Sequence, residues 1–143
     1  MTELTDQQRA FLEENRAAAM VTLRPDGSPH AVRVGVALVE GKLWSSGVQS
    51  RARTRYVRRD PRATVLVVSP KFGYLTVEST VRLLEGPDVP EQSVKLFRTM
   101  QNRPSGPLLW NGQETEEEAF KRKMVEEQRL IYEFEPRRVY GMI

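Results

Sequence analysis

The stretch Leu43–Arg62, LWSSGVQSRARTRYVRRDPR, joins an apolar run to a group of small polar residues and a dense series of arginines. From Arg51 to Arg62 it contains six arginines and one acid, Asp60, whereas the whole chain carries a formal net charge of +3. The remainder of the chain is therefore slightly acidic. Positive charge concentrated in one short segment indicates an anion-binding site rather than a generally basic surface.

The order of residues in this stretch predicts a strand, a turn and a short helix. An apolar run ends at Trp44, Ser45-Ser46-Gly47 is typical of a turn, and Ser50 is expected to cap a helix that ends before Asp60. The first amides of a helix lack intrahelical partners and attract anions, and guanidinium groups bind phosphate in a bidentate manner. The stretch thus predicts a phosphate site. A solvated helix face is the alternative, because arginines spaced i, i+4 and i+7 share one face (Arg51, Arg55 and Arg58).

Length and composition restrict the class of protein. A chain of 143 residues is long enough for a substantial core, and we expect one domain over residues 1–143. The sequence has no apolar run of the length that spans a bilayer, and its N-terminal segment is polar, so we expect a cytoplasmic protein with no membrane insertion. Without cysteine there is no disulfide, thiol catalysis or thiolate metal site, and a single histidine, His30, cannot form a histidine-rich metal site.

Hydrophobic alternation predicts three antiparallel strands ahead of the arginines. A helix over residues 6–15, capped by Thr5, comes first. Residues 18–23 are typical of a strand, Pro-Asp-Gly-Ser at 25–28 is a turn, and Val32, Val34 and Val36 alternate along the second strand. Glu40-Gly41 then turns the chain into a third strand over residues 42–46. These three strands directly precede the arginine helix in the sequence.

The second half adds strands and the longer helices. Residues 63–69 and 74–85 are predicted strands, followed by helices over about 88–101 and 114–128. The Pro/Gly loop between these helices carries Leu108, Leu109 and Trp110, which either this molecule's own surface or a second subunit must cover. A last strand at 130–134 is expected to break at Pro136 and to resume at 139–141. About six antiparallel strands with two or three helices indicate an α+β domain, most simply a small barrel with flanking helices.

Three segments carry a family resemblance: TLRPDGSPHAVRV (22–34), SRARTRYVRRDPRATVLV (50–67) and RRVYG (137–141). They resemble the split β-barrel superfamily of pyridoxamine 5′-phosphate oxidase-like proteins, and within it the small actinobacterial reductases that depend on the deazaflavin coenzyme F420. The resemblance implies a homodimer with two equivalent cofactor sites at the subunit interface. It also implies that the cofactor phosphate lies at the start of the basic helix and that the ring lies along the early strands.

The resemblance assigns roles to particular residues. Arg51 and Arg53 match the basic pair that binds the cofactor phosphate, and Ser45 and Ser46 match the turn that approaches it. Arg55 is expected to contribute to the same site. On the second strand, two residues match positions that edge the ring (His30 and Arg33). The chain departs from the family pattern at three positions: Arg53 replaces a common lysine and keeps its charge, Tyr56 replaces an asparagine, and Arg33 replaces a small polar residue.

The implied activity is that of an oxidoreductase that transfers a hydride between F420 and a small organic acceptor. FMN is the alternative cofactor, because it has the same phosphate and a similar ring. The longer acidic tail of F420 favours arginines outside the phosphate turn, and Arg55, Arg58 and Arg59 are available for it. His30 is a hypothesis for a proton relay and Arg33 for stabilising negative charge on the reduced ring. Each is also consistent with a strand residue that has no catalytic role.

Two other classes of function compete with this interpretation. A nucleic-acid-binding module would use the arginine helix on phosphates, but only Tyr56 interleaves an aromatic ring with the arginines, so we expect no nucleic-acid partner. A non-catalytic cofactor-binding protein, such as a carrier or sensor, would need the same phosphate site without turnover.

Overall fold

This computed structural model describes residues 2–143, and over those residues the chain forms four helices and nine strands. The helices are α1 (Asp6–Glu14), α2 (Ala52–Arg59), α3 (Val89–Gln101) and α4 (Glu117–Glu126). The strands are β1 (Ala17–Leu23), β2 (Pro29–Gly35), β3 (Ala37–Val39), β4 (Lys42–Val48), β5 (Arg62–Val68), β6 (Tyr74–Leu84), β7 (Leu108–Trp110), β8 (Gln113–Thr115) and β9 (Arg129–Met142).

Seven strands form one antiparallel sheet in the order β2-β1-β5-β6-β9-β4-β3. Its two edge strands, β2 and β3, follow each other in the chain with only Val36 between them, so the sheet curls upon itself. The Ser45 hydroxyl donates to the main-chain oxygen of Gly35 at 2.7 Å across this closure. The concave side holds fully buried apolar side chains, among them Met20, Val65, Val77 and Leu130. The predicted α+β split β-barrel is confirmed.

The first helix forms as predicted, with a complete capping box. The Thr5 side chain accepts from the Gln8 amide at 3.1 Å, and the Gln8 side chain accepts from the Thr5 amide at 2.9 Å. These two bonds satisfy donors that a helix start would otherwise leave unpaired. No helix in the described part of the chain has the length and hydropathy needed to cross a membrane.

Two local predictions in the strands were wrong. Ser45, Ser46 and Gly47 lie inside β4, paired with β9, and the turn comes after the strand at residues 49–51. Pro136 does not break β9, which runs on with a register shift against β6 between Glu78 and Ser79. A proline is tolerated at such an irregularity, because no ladder hydrogen bond needs its missing amide there.

The long helices form beside the barrel and cover most of the loop between them. α3 begins after Asp88, whose side chain makes no capping hydrogen bond, and α4 is shorter than predicted at both ends. The Pro/Gly loop contains the hairpin β7–β8, in which Leu108 is fully buried while Leu109 is 40% exposed. The packing partners of Leu108 are Val94, Phe120 and Met124. The chain's own helices therefore cover the loop, apart from Leu109.

Candidate functional site

The arginine helix α2 begins at Ala52 with an uncapped first turn. The residue in the cap position is Arg51, in an extended conformation, and its side chain makes no capping hydrogen bond. The predicted cap, Ser50, instead accepts through its main-chain oxygen from Arg55 at 2.8 Å. The first turn of α2 thus has a positive dipole end with no side-chain acceptor on it, which favours an external anion.

Arg53 lies beside a buried phenol, and Arg51 precedes it at the start of the same helix. The Arg53 guanidinium carbon lies 5.8 Å from the ring centroid of Tyr132, which is fully buried. Burial raises the pKa of Tyr132, while the charges of Arg53 and Arg51 act in the opposite direction. Arg51 occupies the cap position of α2 and Arg53 lies two residues later, so both side chains start from the first turn of one helix. The structure therefore brings these two predicted site residues together.

Arg53 also has an unsatisfied donor. Its Nε is buried, and it has no hydrogen-bond partner within residues 2–143. Arg51 is exposed and makes no ion pair with any described residue. A buried donor without a partner costs free energy, and a phosphate oxygen would satisfy it with a charge-assisted bond. The pair at the start of α2 therefore fits an anionic group.

The other arginines of the stretch are already engaged. Arg58 forms an ion pair with Glu85, whose pKa it lowers, and Arg59 donates to the main-chain oxygen of Arg24 at 2.9 Å. Arg62 pairs with Asp60, and this hydrogen bond lowers the pKa of the Asp60 carboxyl to about 2. Arg55 donates to the main-chain oxygen of Ser50, just before the helix. The three arginines expected to be available for an acidic cofactor tail, Arg55, Arg58 and Arg59, therefore all have partners within the chain. An acidic cofactor tail would therefore compete with these contacts within the chain.

The two serines lie on opposite sides of β4, away from the turn in which they were expected. Ser45 is 1% exposed and faces the barrel interior, where its hydroxyl is used by the bond to Gly35. Ser46 faces the helical side and lies 3.5 Å from a guanidinium nitrogen of Arg129. Successive residues of a strand point to opposite faces, so one cofactor group cannot contact both side chains from the same side.

His30 and Arg33 also lie on different faces of one strand, β2. The His30 ring packs edge-on against Tyr56 of α2, with ring centroids 5.2 Å apart, and its Nδ1 is buried without a partner among the described residues. Arg33 is exposed on the convex face, where Ala17, Ala31 and Leu66 surround a shallow depression. Within one chain the structure brings His30 to α2 and leaves Arg33 apart from the arginine pair.

The convex face of the sheet carries a group of exposed apolar side chains. Val68 is paired with Tyr74, and Tyr74 with Met142, so these three side chains form a row across β5, β6 and β9. They are 43%, 36% and 60% exposed, and Phe72 at the adjoining turn is 95% exposed. Apolar side chains gathered in this way on a sheet face mark an interaction surface.

The hairpin that carries Trp110 lies against α3 and α4 rather than over α2. Its indole packs edge-on against Phe97 and Phe120, with centroid distances of 5.1 and 5.5 Å. The indole nitrogen donates to Glu127 at 3.0 Å, and the Arg129 guanidinium lies 5.1 Å from the indole ring centroid. Arg129 of this group contacts Ser46 of β4, and Phe97 packs against the cluster that contains Trp44 of the same strand.

Three residues near the arginine pair were not singled out from the sequence: Tyr132, Thr54 and Gly47. The Thr54 and Tyr132 oxygens lie 2.5 Å apart, and Gly47 packs directly against the Tyr132 ring. Tyr132 lies within an apolar strand, and Thr54 lies between arginines. Neither position carries a local signal, because their proximity arises only when β9 pairs with β4.

Comparison with known proteins agrees with this architecture. The chain matches solved structures of a conserved hypothetical protein from Mycobacterium tuberculosis (TM-score 0.74, 19% identity, covering 99% of this chain and 89% of the other) and of an F420 reductase (TM-score 0.69, 22% identity, covering 96% and 98%). It also matches General Stress Protein 26 from Bacillus anthracis (TM-score 0.65, 14% identity, covering 93% and 88%). At these identities the structural matches establish the fold alone.

A sequence model of the family described as pyridoxamine 5′-phosphate oxidase extends over residues 4–142, nearly the whole chain. Together with the curled antiparallel sheet, this match confirms the resemblance drawn from the three sequence segments: the chain belongs to the pyridoxamine 5′-phosphate oxidase family.

Proposed function

We propose that this chain is an oxidoreductase that binds F420 and transfers a hydride between the deazaflavin ring and a small organic acceptor. Family membership supports an oxidoreductase in general, and the structural match to an F420 reductase favours this cofactor. The observation that carries the proposal is the pair Arg51 and Arg53, with the partnerless Arg53 Nε, at the uncapped start of α2. These groups would hold the cofactor phosphate.

In this proposal the chain binds and orients, and the bound cofactor supplies the hydride chemistry. Arg51 and Arg53 fix the phosphate end with charge-assisted hydrogen bonds, and the start of α2 adds its dipole. His30, which packs against Tyr56 of α2, would be the residue that relays a proton. A role for Arg33 near the ring requires that another surface approach the convex face of β2. Ser45, which is already bonded to Gly35, would support the closure of the barrel rather than touch the cofactor.

FMN is the second candidate cofactor, and one observation favours it. Arg58 and Arg59, expected to contact the acidic tail of F420, are engaged with Glu85 and with main-chain oxygens. FMN has no such tail and needs only the phosphate pair. Absorbance and mass spectra of the protein purified from a host that makes both cofactors would separate the two. Retention of FMN alone would overturn the F420 assignment.

The phosphate assignment is tested by replacing Arg51 and Arg53 together with alanine. Hydrogen bonds to charged groups contribute about 1.5–3 kcal/mol each, so the affinity for F420 or FMN should fall by roughly 10²- to 10⁴-fold. A double variant of exposed arginines elsewhere, Arg62→Ala with Arg122→Ala, removes the same charge and should retain affinity. Titration calorimetry provides the measurement. Unchanged affinity in the Arg51/Arg53 variant would refute the assignment.

We further propose a homodimer formed through the apolar row Val68, Tyr74 and Met142 with Phe72 beside it. A second copy placed there would cover these side chains, and it would bring a protein surface to the exposed Arg33 on the same side of the sheet. Sedimentation velocity should show a dimer, and Val68→Asp with Phe72→Ser should give a monomer. A native monomer at tens of micromolar would contradict this part of the proposal.

Turnover separates an enzyme from a carrier or sensor. The reduced cofactor should be oxidised in the presence of the protein and small acceptors such as quinones or enones. The expected result is acceptor-dependent oxidation that the Arg51/Arg53 double variant loses. Tight binding without oxidation of the cofactor by any acceptor would instead support a non-catalytic protein.

A further inference from the structure

The hydroxyl of Tyr132 belongs to a directed chain of hydrogen bonds beneath the first turn of α2. The Thr54 hydroxyl donates to the main-chain oxygen of Val48 at 2.7 Å, and the Tyr132 hydroxyl oxygen lies 2.5 Å from the same Thr54 oxygen. A threonine hydroxyl carries a single proton. Because that proton is used in the hydrogen bond to Val48, the Tyr132 hydroxyl must be the hydrogen-bond donor to the Thr54 oxygen.

This direction determines what Tyr132 presents to the arginines. With its proton committed to Thr54, the phenol oxygen has only lone pairs for other neighbours. The Arg53 guanidinium carbon lies 5.8 Å from the Tyr132 ring centroid, on a side chain whose Nε has no partner in the described chain. A guanidinium beside a lone pair and an aromatic face is attracted by both.

The position of the Tyr132 ring is restricted on its other side by β4. Gly47 lies directly against the ring, since a Cβ at that position would overlap the ring and come within 2.5 Å of the hydroxyl oxygen. The ring is fully buried and packs near Phe134, with centroids 6.4 Å apart. The phenol oxygen is therefore held in one place by packing as well as by hydrogen bonding.

We propose that Tyr132 is a positioning residue that orients the Arg53 guanidinium toward the phosphate at the start of α2, with Thr54 fixing the direction of its hydroxyl proton. This inference rests on the proposed phosphate role of Arg53. Tyr132 itself does not touch the ligand. It restricts the Arg53 side chain to one orientation, and so lowers the entropy lost on binding.

A double-mutant cycle tests the coupling. Affinities for FMN and for F420 are measured for the native protein, Tyr132→Phe, Arg53→Ala and the combined variant. Tyr132→Phe should weaken binding about three- to tenfold, the effect of one ordinary hydrogen bond, but should have no further effect once Arg53 is alanine. If Tyr132→Phe lowers the affinity by the same factor in the native protein and in Arg53→Ala, its effect on α2 is general and the inference is overturned. Unchanged affinity in Tyr132→Phe would overturn it as well.

Threonine variants separate positioning from packing. Thr54→Ser keeps the hydroxyl and should retain native affinity, whereas Thr54→Val should reproduce the loss seen in Tyr132→Phe. Thr99→Val is the matched control, because its hydroxyl bonds only to the main-chain oxygen of Lys95 within its own helix. Weak binding in Thr54→Ser and Thr54→Val alike would contradict the role assigned to the hydroxyl.

A measurement without ligand distinguishes the failure of this inference from failure of the proposed function. NMR relaxation of the Arg53 Nε–H group should show a restricted side chain in the native protein and a mobile one in Tyr132→Phe. If Arg53→Ala does not weaken cofactor binding, the phosphate assignment fails, and the relaxation result still decides whether Tyr132 orients Arg53. An Arg53 side chain equally mobile in both proteins would refute the positioning role.

Discussion

Replacing Gly47 with alanine should destabilise the barrel next to the arginine pair. The added Cβ would overlap the Tyr132 ring, which is fully buried. Overpacking of this kind costs about 1–3 kcal/mol, and displacing the ring would also weaken the bond of Tyr132 to Thr54, worth about 1 kcal/mol. Alanine regains roughly 0.5–1 kcal/mol of backbone entropy relative to glycine. The net loss should be about 2 kcal/mol, within a range of about 1–3.5 kcal/mol.

The matched control is Gly35→Ala. Its Cβ would come within 3.1 Å of the Met100 sulfur, near the end of a flexible side chain, and would make an ordinary contact of 3.9 Å with the main-chain oxygen of Arg16. Calorimetry should show the melting temperature of Gly47→Ala lowered by roughly 5–10 °C, since 1 kcal/mol corresponds to about 2–4 °C in a domain of this size. Gly35→Ala should lie within about 2 °C of the native protein. Equal melting temperatures for the two variants would show that Tyr132 does not pack as described.

Three further outcomes are expected. The Asp60 carboxyl should titrate near pH 2 by NMR because Arg62 is bonded to it, and Arg62→Gln should move this midpoint toward 3.8. Because folding lowers the pKa of Asp60, the pair stabilises the folded state above pH 3.8. This stabilisation is lost as the pH falls toward 2. Trp44→Phe removes the donor to the buried Glu133 carboxylate, so chemical denaturation should show a loss of about 1–3 kcal/mol. Phe120→Ala should cost about 3–5 kcal/mol by the same assay, because this fully buried ring joins α4 to α3.

Local chemistry was sufficient to predict the elements whose signals lie within a few residues. Thr5 and Gln8 form the capping box that their spacing indicates, and the turn at 25–28 places Asp26 to accept from the Ser28 amide at 2.9 Å. The alternation along residues 74–85 likewise predicts a strand, and β6 spans Tyr74–Leu84. These features depend on propensity and periodicity, which are properties of short segments.

The errors arise where a distant strand decides the local structure. Ser45-Ser46-Gly47 has the composition of a turn, yet β9 pairs with this segment and requires a residue without Cβ opposite the Tyr132 ring. Pro136 continues as strand because the register shift beside it accommodates a residue without an amide proton. No local pattern carries this information.

The candidate site divides in the same way. Arg51 and Arg53 could be predicted from charge density and from their place at a helix start. The partners of Arg58 and Arg59 could not, because Glu85 and Arg24 reach them only through the folded sheet. A charge pattern can therefore indicate a candidate anion site before it can indicate which of its basic residues already have partners within the chain.

The strand order also has a consequence for folding kinetics. β9 lies between β6 and β4, so Leu43 pairs with Phe134 across most of the chain, whereas the hairpins β1–β2 and β5–β6 form from near neighbours. Contacts between residues so far apart in sequence form slowly, because the chain loses loop-closure entropy before the contacts begin to stabilise it. Until β9 docks, β4 presents an open edge and Tyr132 has no place beneath α2. We therefore expect Arg51 and Arg53 to become organised only in the final, slow phase of folding.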